Sequence, residues 1–188
     1  MKNLYSFVLV VLISANAIIK AQETGTFIDP RDGKEYKTIK IDSQIWMAEN
    51  LNYDVKYSWC IDCETYGRLY NWDAALVSCP VGWHLPSDEE WTVLTSNVGG
   101  GSMKEAGTAH WKSPNTGATN KSGFTALPHG FRGILGSLDW DTKIGFWWSS
   151  TPYKRTYAWT WRLDYNLSTV TRQFSNKPVG ESVRCIKD

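Results

Sequence analysis

Tyr70-Asn71-Trp72-Asp73-Ala74-Ala75-Leu76-Val77-Ser78-Cys79-Pro80-Val81-Gly82-Trp83-His84-Leu85-Pro86-Ser87-Asp88-Glu89-Glu90-Trp91 carries two helix starts and one helix stop. Asn71 is placed to cap a first helix, with Asp73 in its opening turn beside the exposed amides. Trp72, Ala75, Leu76 and Cys79 then share one face, which puts Cys79 at the buried edge. Pro80 and Gly82 stop that helix, because Pro cannot continue it and Gly accepts the turn that follows. Ser87-Asp88-Glu89-Glu90 is a capping box. The Ser oxygen takes the amide of Glu90, and the Glu90 side chain reaches back to the Ser amide. Trp91, Leu94 and Val98 follow on one face, and Gly99-Gly100-Gly101 is expected to close the second helix.

Outward from this stretch the chain changes character on both sides. Before it, Asp29-Pro30-Arg31-Asp32-Gly33 reads as a turn, Tyr36 to Ile41 alternates as a strand does, and Gln44-Ile45-Trp46-Met47 is a second short apolar run. After residue 99, Gly, Ser, Thr, Asn and Trp dominate. Strands are expected at Gly123 to Leu127, Gly145 to Ser150, Tyr157 to Tyr165, Ser168 to Phe174 and Glu181 to Ile186. Polar loops lie between them at 101–122, 132–143 and 175–180. Helices early and strands late make the fold α+β, and 188 residues suffice for one domain. With 42% apolar and 21% charged residues, a packed core is expected.

Lys2 starts the chain with positive charge, Leu4 to Ile13 is almost wholly apolar, and Ala15, Ala17 and Ala21 follow. That is the layout of a secretory signal peptide, and the run is too short to span a bilayer, which takes about 20 apolar residues. Ala17 and Ala21 are both suitable cleavage points. Ala21 is favoured because polar sequence begins at Gln22, giving a leader of 1–21 and a mature domain of 22–188. The whole chain holds 20 Lys and Arg against 19 Asp and Glu. The leader removes Lys2 and Lys20 and no acid, leaving 18 bases. So balanced a charge argues against a nucleic-acid binder. No later stretch is apolar enough to cross a membrane. The expected location is the periplasm, the outer surface or the medium.

Four cysteines, Cys60, Cys63, Cys79 and Cys185, point in an exported chain to two disulfides with three possible connectivities. A zinc site is the competing reading, but Cys79 and Cys185 lack the second close pair that such a site uses. Cys60-Ile61-Asp62-Cys63 also has thioredoxin-like spacing. No helical stripe follows it to lower a thiol pKa, so a small closed loop is the better reading.

The two-helix stretch resembles the opening of C-type-lectin-like domains and of sulfatase-modifying-factor domains. Val183-Arg184-Cys185 resembles their closing strand. The resemblance implies pairing of Cys79 with Cys185, which leaves Cys60 with Cys63. A nearer resemblance runs through Asp29 to Asn52, Tyr66 to Tyr70, Gly82 to Pro86, Gly123 to Pro128, Gly145 to Thr151 and Ser182 to Cys185. These segments, in this order, resemble the Fibrobacter succinogenes major paralogous domain family. That family occurs in exported proteins of Fibrobacter and Bacteroidota, and its biochemical role is open.

The sulfatase-modifying chemistry needs a reactive cysteine pair late in the chain, and residues 83 to 184 contain none. His84, His110 and His129 stand at no interpretable spacing from a nucleophile or carboxylate, so no catalytic residue is assigned. The Glu-Pro-Asn or Gln-Pro-Asp and Trp-Asn-Asp triplets of calcium-dependent lectins are missing where they would be needed. Asp139-Trp140-Asp141, with Asp164 and Asn166, still offers oxygens that Ca²⁺ would accept. No cofactor is otherwise implied. Of the eleven Trp, Trp46, Trp72, Trp83, Trp91 and Trp148 sit in patterned elements and read as core. Trp159 and Trp161 share a strand face and read as buried. Trp111 and Trp140 lie in polar loops, where a Trp face against a pyranose is a common mode of sugar binding. Lys154, Arg155 and Arg172 would suit an anionic ligand or a solvated face. The expectation is a non-enzymatic, exported binding module for a glycan or a surface protein, with Trp111, Trp140, Asp139 and Asp141 as its site. A structural envelope component is the second reading, and an enzyme the third.

Overall fold

The computed structural model describes residues 23–139 and 142–188. The expected leader 1–21 and the site residues Trp140 and Asp141 therefore lie outside the described residues. In chain order the elements are β1 (Thr24–Ile28), β2 (Glu35–Ile41), β3 (Gln44–Met47), β4 (Ser58–Cys60), α1 (Cys63–Tyr66), β5 (Arg68–Tyr70), α2 (Trp72–Ser78), β6 (Trp83–His84), α3 (Asp88–Asn97), α4 (Gly100–Met103), β7 (Phe131–Arg132), β8 (Leu138–Asp139), β9 (Ile144–Lys154), β10 (Tyr157–Asp164), β11 (Val170–Asn176), β12 (Glu181–Ser182) and β13 (Ile186–Lys187). The fold is mixed α+β, mostly sheet with short helices.

Both expected helices form at their expected caps. Asn71 Oδ1 accepts the Ala74 amide, and Ser87 and Glu90 complete the reciprocal box. The buried face of α2 is Trp72, Ala74, Ala75 and Ser78, and Leu76 points to solvent instead. The glycine run does more than stop α3. Gly100 and Gly101 open a helical turn, because a Cβ on Gly101 would meet the Gly117 carbonyl and one on Gly100 the backbone of Thr169.

Strands β1-β2-β3-β13-β6 form one sheet and β11-β10-β9-β12-β5-β4 a second, with β7-β8 a separate hairpin. Adjacent Trp147 and Trp148 on β9 face opposite ways, as strand geometry requires. Trp148 joins Tyr36, Tyr70, Trp72 and Val183, while Trp147 joins Trp46, Trp91, Trp111 and Phe124. The second sheet is thus covered on both faces here, which accounts for the continuous apolar run of β9.

Two strand expectations are corrected. Gly123 to Leu127 is irregular, since Gly123 and Thr125 take positive φ and Asn120 Oδ1 holds the Thr125 amide. Glu181 to Ile186 is not one strand: β12 belongs to the second sheet and β13 to the first. Between them Val183 and Cys185 give their carbonyls to Leu51 and Met47. Arg184 is wholly buried, donating to Asn50 Oδ1 and to the carbonyls of Phe124 and Thr125. Burial lowers its pKa to about 9, with Glu49 opposing that shift. The final segment is the seam of the molecule, and Cys79–Cys185 ties it to the end of α2. Cys60–Cys63 closes the small loop before α1. Among the described residues, no helix is long and apolar enough to cross a membrane.

Candidate functional site

Trp111, expected to be open to a ligand, is only 1% exposed. Its Nε1 donates to Ala126 O at 2.8 Å, and the ring packs in the core beside Trp46, Trp91 and Phe124. The reason is Lys104, which is fully buried and donates to the carbonyls of Thr116, Asp164 and Leu167. These three bonds fold the 101–122 segment inward, with the ammonium 5.4 Å from the Trp111 ring centre. Asp139 is exposed on β8. Asp164 does not join it: its carboxylate is buried and paired with Arg162. Among the described residues no three His, Cys, Asp or Glu cluster in a way that would hold a metal.

The histidines have structural partners. His84 bridges Glu90 Oε1 at 2.9 Å and Asp188 Oδ1 at 2.6 Å, and these contacts raise its pKa against the opposing effect of burial. His110 pairs with Glu105 at 2.9 Å and lies edge-on to Tyr66. His129 stacks on Tyr66, with its Nδ1 3.5 Å from Ser182 Oγ. Both His129 and Ser182 are buried, and desolvation pulls the His129 pKa down to about 4. Neither side chain is open to solvent. A cavity of about 130 Å³ is lined by Lys37, Glu49, Glu105, Thr125 and Arg184 among others, and by neither His129 nor Ser182.

The exposed chemistry lies elsewhere, where β9, β10 and β11 run out past α3. Trp159 and Phe174 are cross-strand partners. Tyr153 stacks on Phe174 with centroids 4.5 Å apart and tilts against Trp159 at 4.6 Å. Tyr157 meets Phe174 edge-on. Trp161 is buried as expected, but Trp159, two residues earlier on the same face, is not. Trp161 lies against Trp91 of α3, while Trp159 reaches past the start of that helix, beside the Arg172–Asp88 pair. Phe174 is 48% exposed. The guanidinium of Arg172 sits 3.3 Å from the Trp159 ring centre, and its Nε and Nη2 donate to the Asp88 carboxylate. That hydrogen bond, against mild desolvation, raises the Arg172 pKa. Its Nη1 has no hydrogen-bond partner among the described residues. Such rings with a fixed guanidinium can stack on an apolar C–H face and donate to oxygens at its rim.

This face is remote from Ile144, where β9 begins. Tyr153 is near the other end of that strand, roughly 30 Å along it. One signal in the sequence marks it: Tyr153, Tyr157, Trp159 and Phe174 crowd onto three successive strands.

Fold and site together define a class: a disulfide-closed α+β domain with an aromatic sheet face open to solvent. The Fibrobacter succinogenes major domain matches residues 39–187, and the chain belongs to that family. No curated protein and no solved structure matched it.

Proposed function

We propose that this chain is an exported, non-catalytic binding module that recognises a glycan through the Tyr153–Tyr157–Trp159–Phe174 face. The observation carrying the reading is a stacked aromatic group held on strands, with solvent-exposed area and a clamped guanidinium at its edge. Strand-borne rings lose little conformational entropy on binding, which favours a rigid platform over loop residues. Export is supported by the leader-like start of the sequence and by two disulfides, which persist in oxidising compartments. A C-type-lectin-like topology is the finer reading of the fold. Its support is a bridge from the end of the α2 helix to the closing segment, as that resemblance implies.

A surface protein as partner is the second reading, favoured by one observation. β11 has a neighbour on one side only, so its outer edge can accept another strand.

Polysaccharide and glycan-array binding of the domain from residue 22 onward tests the proposal, with Ca²⁺ and with chelator, beside Phe174→Ala and Tyr153→Ala variants. Binding that falls at least tenfold in either variant is expected. Chelator sensitivity would direct attention to Asp139 and Asp141 as cation ligands. Silence on every glycan, with capture of an envelope protein, would replace the proposal with the β11 reading.

A further inference from the structure

The turn after β9 and the neighbouring strand gather positive charge around the aromatic face. Lys154 ends β9 with its ammonium 5.1 Å from the Tyr153 ring centre, and Arg155 follows it in the exposed turn to Tyr157. Arg172 lies across the face from β11. The acid against this group is Asp88, and it is already committed to Arg172 Nε and Nη2. Lys154 and Arg155 have no carboxylate partner among the described residues, so their charges are uncompensated locally. A neutral sugar could use the rings and accept from Nη1, but it would leave the Lys154 and Arg155 charges unmatched. Exposed cations flanking a stacking surface, with Nη1 of a fixed guanidinium left over, match a pyranose that carries a carboxylate. The ring takes the sugar's C–H face, and the guanidinium and ammonium take the carboxylate oxygens.

Resting on the platform reading above, we infer that the ligand is an acidic, uronate-bearing polysaccharide. Charge complementarity sets the preference: the aromatic rings supply contact common to all sugars, and Lys154, Arg155 and Arg172 select the carboxylate. Because exposed charges are screened, the selective part of binding weakens with salt while the stacking part does not.

The test uses polygalacturonate and the same polymer after chemical reduction of its carboxyl groups, titrated against the domain from residue 22 onward by calorimetry. Wild type is expected to bind the acidic polymer at least tenfold more tightly than the reduced one, and to lose most of that difference at 1 M NaCl. The Lys154→Gln/Arg155→Gln double variant should lose most of the preference, Arg172 keeping the remainder, and retain the weaker binding, since neither side chain holds a structural contact with an acid. Equal affinity for the two polymers, or a preference unchanged in the double variant, overturns the inference and leaves the aromatic reading standing. Failure to bind either polymer or any neutral glycan overturns both.

Discussion

Glu181 shows how one buried residue shapes this protein. Its carboxyl is almost wholly buried, and Thr160 Oγ1 lies 2.5 Å from Oε2 while also within 2.9 Å of Trp147 O. A hydroxyl has one proton, so both contacts are satisfied when Glu181 is neutral and donates to Thr160, which donates onward to Trp147. Burial pushes its pKa up to about 7, against the contrary effect of hydrogen bonds from Thr160 and Ser175. Between about 4.5 and 7 the native state therefore binds more protons than the unfolded one, and stability falls as pH rises. Glu181→Gln keeps a donor toward Thr160 and removes the titration. His129, with its pKa lowered to about 4, adds stability as pH rises over much of the same window. The readout is therefore the difference between the two proteins: relative to the variant, wild type should lose on the order of 3 kcal/mol across that window in urea unfolding. Parallel curves for wild type and variant would place a charged, compensated carboxylate there instead. The His84 link works in the same direction on that axis. Its raised pKa adds stability that is complete in acid and is lost as pH rises through that value.

At the level of elements, α2 and α3 were legible in the sequence because capping is local chemistry: Asn71, Ser87 and Glu90 each find a partner three residues away. Ser87→Ala should cost about 1 kcal/mol in thermal or urea unfolding, and little if the box were incidental. The strands of β9 to β11 were legible too, within a few residues, from their aromatic runs. What alternation could not show was the sheet change at Val183 to Cys185, or the irregular path at Thr125. Both are set by partners distant in sequence, with Arg184 reaching Asn50 and Phe124. The burial of Trp111 is hidden from local pattern for the same reason. Trp111 sits in a polar loop, but the three carbonyls held by Lys104 fold that loop onto the core. Trp159 shares a strand face with buried Trp161, and only where α3 starts distinguishes them.

Across the whole molecule, the two disulfides close loops of very different size. Cys79–Cys185 spans 106 residues and holds the seam between the sheets, whereas Cys60–Cys63 spans three. Cross-link entropy then predicts about 5 kcal/mol lost in a Cys79→Ser/Cys185→Ser pair and about 2 in a Cys60→Ser/Cys63→Ser pair. Unfolding of the two pair variants by urea measures this, and equal losses would show that the long bridge does not constrain the unfolded chain as supposed. With the seam fixed, β9, β10 and β11 project as a rigid ribbon whose outer aromatic face needs no loop to order on binding. The most direct test of that claim is an amide chemical-shift map of the domain titrated with the tightest glycan from the array. The account predicts shifts concentrated at Tyr153, Tyr157, Trp159, Arg172 and Phe174. Shifts concentrated instead in the 132–143 segment, with this face unmoved, would contradict it.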